Sequence, residues 1–222
     1  MAARGPEADL PLFREKRIND PERALHALAA EAKRCTRCDL YKNATQTVFG
    51  EGPADAALML IGEQPGDQED LLGRPFVGPA GKVLDCALEA AGLDRAALYI
   101  TNAVKHFKNE PRGKRRLHKK PDTSEIDVCR WWLDNERAIV RPAVTVALGV
   151  TAARGLFRKA LSINANRGRL TALPEGGQGL ITVHPSYLLR LRDERDKRRE
   201  FDLLVRDLRL ADDAARQAAR RS

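Results

Sequence analysis

The sequence predicts an α/β fold: a single-domain α/β/α sandwich around a central, mainly parallel sheet. Three observations predict it. Short, nearly unbroken apolar runs at residues 57–61, 98–101, 143–148 and 179–183 alternate with longer amphipathic stretches, the pattern of buried parallel strands joined by crossover helices. The chain has 222 residues, of which 43% are hydrophobic, enough to bury one proper core. Three of the strand ends carry polar, chemically capable residues, and such sheets gather ligands at the carboxyl ends of their strands.

Residues 1–16 are polar and without periodicity, which predicts a flexible arm ahead of a domain spanning residues 17–210. Pro21 opens an amphipathic helix that runs to about Lys33, since proline suits a first helical turn. Residues 57–61 (ALMLI) read as a buried strand ending at Gly62. A helix follows at 81–91, a strand at 98–101, a long helix at 123–140, a strand at 143–148 and a helix at 151–159. Trp131 and Trp132 fall inside the long helix, where packing is the expected use of an indole. The strand at 179–183 precedes a highly charged helix whose mixed signs indicate a solvated face. Residues 211–222 (ADDAARQAARRS) are expected to fray.

Charge is unevenly placed. The net formal charge is +8, and residues 105–120 (KHFKNEPRGKRRLHKK) alone hold eight Lys or Arg against one Glu. A stretch so charged predicts an exposed loop able to meet phosphates, although a solvated loop without a partner explains the Lys and Arg equally well. The first 15 residues lack the apolar core of a signal peptide, and no run of about 18 apolar residues occurs. The expectation is a cytosolic protein without a membrane span, monomeric by default. In a reducing compartment the four cysteines suggest a metal site, reactive thiols or core residues before disulfides. Cys35 and Cys38 form a C-x-x-C, whose tight turn lets two thiolates reach one metal or cluster.

The strand ends read GEQPGD at 62–67, TNAVKH at 101–106 and VHPS at 183–186. Together they resemble the uracil-DNA glycosylase superfamily, in its iron–sulfur branch, over roughly residues 35–205. Gly62 to Gly66 resembles that branch's first motif, GRPFVGPAGKVLD at 73–85 its uracil-pocket segment, and His184-Pro185-Ser186 its second catalytic motif. Two features depart from the family-four enzymes. Gln64 stands where they usually have alanine, and KRRLH at 114–118 is a basic loop that they lack. Both resemble the UdgX group, whose members become covalently attached to uracil-containing DNA through a histidine in this loop.

The resemblance implies a set of roles. Phe76 would stack on a base flipped out of DNA, single-stranded DNA being preferred because flipping costs least there. Asn102 would read the uracil edge, which an amide can match while mismatching cytosine. His184 would donate to the leaving uracil's carbonyl oxygen. His118 would capture the sugar, a neutral imidazole being a competent nucleophile, with Glu63 orienting it and able to take its proton. Lys114, Arg115 and Arg116 would hold flanking phosphates, while Gln64, Asp67 and Ser186 would position the sugar, the loop or the base. Without the resemblance, spacing alone favours a turn or cap residue for Asn102 and a satisfied core histidine for His184.

The same resemblance implies a four-iron, four-sulfur cluster held by Cys35, Cys38, His106 and Cys129, with His106 standing where family-four proteins have a further cysteine. Spacing alone does not separate this cluster from zinc. Cys86 is the rival fourth ligand, but it sits on the 81–91 helix, where a buried thiol is the ordinary expectation. Three functions fit the chain: a glycosylase that stays attached through His118, an ordinary turning-over uracil-DNA glycosylase, and a metal-containing DNA-binding module without catalysis.

Overall fold

Strands that are apolar on both faces need helices on both sides, and this requirement sets the architecture. The computed structural model describes residues 19–113 and 115–221. The arm expected at residues 1–16 lies outside the described residues, as does Lys114. The chain runs α1 (Pro21–Ala32), β1 (Leu58–Gly62), α2 (Asp67–Leu72), α3 (Pro79–Ala91), β2 (Tyr99–Asn102), β3 (Asn109–Arg112), β4 (Arg115–His118), α4 (Thr123–Val140) and β5 (Val144–Leu148). It continues through α5 (Val150–Phe157), α6 (Ile163–Asn166), β6 (Thr171–Ala172), β7 (Gln178–Thr182), α7 (Ser186–Arg190) and α8 (Glu194–Ala219). The main sheet has the order β2-β1-β5-β7-β6. Its first four strands are parallel, and the short β6 is antiparallel at the edge.

Alternate residues of each strand supply opposite cores. Met59 and Ile61 of β1 join Leu25 and Leu28 of α1, Trp132 and Leu133 of α4 and Leu156 of α5. Leu58 and Leu60 join Leu84 and Leu88 of α3 and Leu204 and Leu208 of α8. This is the expected α/β/α sandwich. Local chemistry fixes the helix ends. Asp122 and Glu125 form a reciprocal capping box that starts α4, and the Asp193 carboxylate accepts from the amides of Arg195 and Asp196 to start α8.

Four expectations need correction. The chain does not fray from residue 211: α8 continues to Ala219, because Ala211 and Ala215 extend its buried stripe of Leu204 and Leu208. The basic stretch is not an open loop, since β3 and β4 pair antiparallel with Asn109 opposite His118 and Arg112 opposite Arg115. Nor is that stretch exposed throughout, as Lys105, His106, Phe107 and Asn109 are buried. Finally, Cys86 is exposed. Its helix α3 packs on the face carrying α8, whereas Cys35 and Cys129 belong to the opposite core, so Cys86 cannot join them.

Lys105 supplies the chief polar interaction of the interior. Its Nζ, fully buried, lies 2.5 Å from a carboxylate oxygen of equally buried Glu136. The same Nζ donates to Thr101 Oγ1 and to the Asn102 carbonyl oxygen, each at 2.7 Å. Glu136 also accepts from the Tyr99 hydroxyl, the Thr101 hydroxyl and the Gly50 amide. Every proton of the ammonium thus has an acceptor, which is the condition under which a buried pair is tolerated. Removing one partner leaves the other charge buried and unpaired. Lys105→Met should therefore lower the free energy of urea unfolding by about 3–5 kcal/mol, while the double variant Lys105→Met/Glu136→Gln should lose less than the sum of the two single changes.

Candidate active site

The carboxyl ends of β1, β2 and β7, together with the end of β4, open on one cleft of about 960 Å³. Glu63, Gln64, Asp67, Phe76, Asn102, His118, His184 and Ser186 all line it. Arg115 and Arg116 do not. The close approach of these strand ends requires a glycine, because a Cβ at Gly62 would meet Asn102 Oδ1 at 2.3 Å and the Phe76 ring at 2.5 Å. Phe76 itself holds a left-handed φ of 54°, a strained conformation for an aromatic residue. Helix α3 packs tightly beneath it, since a Cβ at Gly81 would strike the Phe76 carbonyl oxygen at 1.9 Å.

One amide fastens the basic hairpin to the cleft. Gln64 Oε1 accepts from the Lys108 amide at 2.9 Å, and Gln64 Nε2 donates to the Lys119 carbonyl at 2.8 Å. These backbone contacts fix which end of the amide is which. The same Nε2 lies 2.9 Å from His118 Nε2. The ring nitrogen must therefore accept, so the neutral imidazole carries its proton on Nδ1 and keeps the Nε2 lone pair on the cleft side. Glu63 Oε1 stands 3.5 Å from the same Nε2. In this tautomer it faces the Nε2 lone pair and not an N–H, so the neutral ring donates no hydrogen bond to it from that nitrogen. The other Glu63 oxygen accepts from Thr151 Oγ1 at 2.6 Å.

A second fastening comes from Arg116. Its Nε donates to Asp67 Oδ1 at 2.7 Å, and its Nη1 donates to the fully buried Asp70 and to Thr45 Oγ1. Its guanidinium also lies 5.4 Å from the Phe107 ring centre. Arg116 is thus a strut between hairpin and α2, a role that the sequence reading did not give it. Asp70 escaped the sequence reading, although it follows Asp67 by three residues and so shares its helical face.

At the opposite wall, the Ser186 amide donates to His184 Nδ1 at 3.2 Å, and Ser186 Oγ lies 2.8 Å from that atom. An accepting Nδ1 places the proton of neutral His184 on Nε2, available to a ligand. The His184 ring stacks on Phe76 with centres 5.8 Å apart and planes inclined by 30°. Asn102, at the end of β2, is 2% exposed. The cleft therefore presents an aromatic floor, a buried amide and an imidazole N–H on one side, and an imidazole lone pair beside a carboxylate on the other.

Of the proposed metal ligands, Cys35 and Cys129 lie in the core shared with α1 and α4, and Cys38 packs against it. The Lys105 amide donates to Cys129 Sγ at 3.2 Å, and the Trp132 indole N–H donates to Cys35 Sγ at 3.1 Å. Burial pushes the Cys129 thiol up to about 12 and raises Cys38 as well, and the cysteines also act on one another electrostatically. His106 Nε2 lies 2.9 Å from Thr47 Oγ1, whose own proton goes to the Ala32 carbonyl. His106 must then donate from Nε2, which leaves Nδ1 unprotonated; that atom is buried and has no hydrogen-bond partner. A buried imidazole lone pair without a donor suits a metal ligand. Among the described residues, no group of three or more His, Cys, Asp or Glu side chains is arranged to hold a metal ion.

Residues 49–209 match the family model of the uracil DNA glycosylase superfamily. The chain belongs to that superfamily. It is 38% identical over 178 residues to the type-4 uracil-DNA glycosylase of Thermotoga maritima, an alignment covering 80% of this chain and 89% of that one. It is 34% identical over 181 residues to the type-4 uracil-DNA glycosylase of Archaeoglobus fulgidus, covering 77% and 87%. With the Saccharolobus solfataricus type-4 enzyme it shares 38% identity over 173 residues, 74% and 77% of the two chains. Among the described residues no helix is long and apolar enough to cross a membrane.

Within this superfamily member, His184 has a distinctive titration. Burial pushes its imidazole down to about 4, with the charges of Arg190 and His118 acting the same way. An unfolded histidine takes up a proton below about 6.5, whereas the folded one stays neutral to about 4. His184 therefore costs no stability above pH 6.5 and a growing amount as pH falls from there toward 4, reaching roughly 3 kcal/mol. His184→Gln should flatten the decline in urea-unfolding free energy across that interval, compared with the parent protein.

Proposed function

We propose that this chain flips uracil out of DNA, breaks its glycosidic bond and remains joined to the sugar through His118, as in the UdgX group. Single-stranded DNA is the preferred substrate, because the base there is already free of pairing. The observation that carries the reading is the contact of Gln64 with His118: an amide fixed at both ends by the hairpin backbone holds the nucleophilic lone pair at the cleft, beside Glu63.

Uracil rests on Phe76 while Asn102 reads its edge. As the glycosidic bond breaks, its electron pair passes to uracil N1, and the charge that spreads to the carbonyl oxygen is met by the Nε2–H of His184. Glu63 stabilises the positive sugar. His118 Nε2 then gives up the hydrogen bond from Gln64, and its lone pair forms the new bond to the anomeric carbon, giving an imidazolium that Glu63 also faces. Loss of the Nδ1 proton to water and uptake of one proton by uracil balance the exchange. His118 is half exposed, so its Nδ1 proton has a route to solvent. The names of the type-4 relatives favour a second reading, in which water completes the reaction and the enzyme turns over.

The proposed cluster ligands are Cys35, Cys38, His106 and Cys129, supported by the orphaned Nδ1 of His106. Ligands of a four-iron cluster bind separate irons and so stand farther apart than those of a single ion. When bound, the cluster would supply a structural cross-link between the segment after α1, the second turn of α4 and the base of the hairpin. His106→Ala and Cys35→Ser should each remove visible iron–sulfur absorbance from the purified protein and lower its unfolding midpoint; full retention of the colour would sink the ligand set.

The deciding experiment for capture is a denaturing gel after mixing the protein with a single-stranded oligonucleotide carrying one uracil, with a thymine control. A heat- and detergent-resistant band is expected with uracil alone, and His118→Gly should lose it while releasing uracil over several turnovers. Abasic product without any such band would support the turnover reading.

A further inference from the structure

The two oxygens of Glu63 have different neighbours. Oε1 faces His118 and the open cleft, while Oε2 accepts a 2.6 Å hydrogen bond from Thr151. Thr151 lies in the first turn of α5, directly after β5, and is 2% exposed. A carboxylate can only accept, so the hydroxyl proton must point at Glu63. Near the start of its helix, Thr151 has no helical carbonyl four residues back to compete for that proton. Its branched side chain also has few rotamers to choose from. The bond thus joins the end of β1 to the start of the helix that follows the neighbouring β5.

We propose that Thr151 is a positioning residue that holds Oε2 so that Oε1 faces the reacting sugar and His118. The proposal rests on the reading of Glu63 given above. A pinned carboxylate acts where charge develops, in bond breaking and capture, and a negative group contributes little to holding a polyanion. Thr151→Val keeps the shape and removes the donor; Thr151→Ser keeps the donor.

The test compares the full-length parent protein with Thr151→Val, Thr151→Ser and Glu63→Gln. Single-turnover uracil release and covalent capture are followed by rapid quench on a uracil-containing single strand at saturating protein. Affinity is measured separately by fluorescence anisotropy on the same strand with a 2′-fluorinated, non-cleavable deoxyuridine. The expected result is a rate lowered about tenfold to a hundredfold in Thr151→Val, affinity within about twofold of the parent protein, and a rate largely restored in Thr151→Ser. A parental rate in Thr151→Val beside a slow Glu63→Gln would overturn the positioning role alone. Equal losses of rate and affinity, or a serine variant as slow as the valine one, would also overturn it by showing a merely structural effect. A parental rate in Glu63→Gln would remove the role of Glu63 itself and the proposal with it.

Discussion

The buried pair of Lys105 and Glu136 is the constraint on which the rest of the structure depends. One ammonium ties the last residues of β2, through Thr101 and the Asn102 carbonyl, to the C-terminal half of α4. The backbone amide of the same lysine reaches Cys129, and the next residue is His106. The candidate uracil reader and the candidate cluster ligands therefore share a single anchoring residue. Such a pair adds little stability over an apolar substitute of equal shape, yet it admits very few arrangements of its neighbours. Its value here is geometric: it sets where β2 stops and how the chain leaves it.

From that exit the chain builds a ribbon and returns. The ribbon makes its own ladder and is fixed to the body by Gln64 and Arg116, both outside the main sheet. Positive charge that looked available for phosphates is partly spent on this fixation, since Arg116 answers Asp67 and Asp70. The cleft is thus assembled from two kinds of support. Strand ends carry Glu63, Asn102 and His184 with the rigidity of the sheet, whereas His118 is placed by side-chain contacts on a separate element.

Much of the fold was legible because its signals are local. Apolar runs mark β1, β5 and β7, and the box formed by Asp122 and Glu125 marks the start of α4 at the expected residue. The strand ends were legible too, since GEQPGD, TNAVKH and VHPS stand out against the apolar runs they follow. What escaped depends on distant partners. Lys105 looks exposed until Glu136, 31 residues later, is brought beside it. The hairpin is hidden by its charge and by Pro111, which a free-standing ribbon tolerates although an inner strand would not. Thr151 belongs to no distinctive pattern and matters through one hydroxyl. Arg116 lies in the basic run that drew the eye, but its counterions sit on α2, a helix that its short length concealed.

The left-handed backbone of Phe76 has a thermodynamic consequence. Left-handed geometry at an aromatic residue costs on the order of 1–3 kcal/mol, and this cost is met when the chain folds, by the packing of Gly81 and Gly62 against it. The aromatic floor is then built into the folded chain. A floor ordered by folding has little conformational freedom left to lose when a ligand settles on it. Whatever enters the cleft meets a surface whose shape the fold has already set.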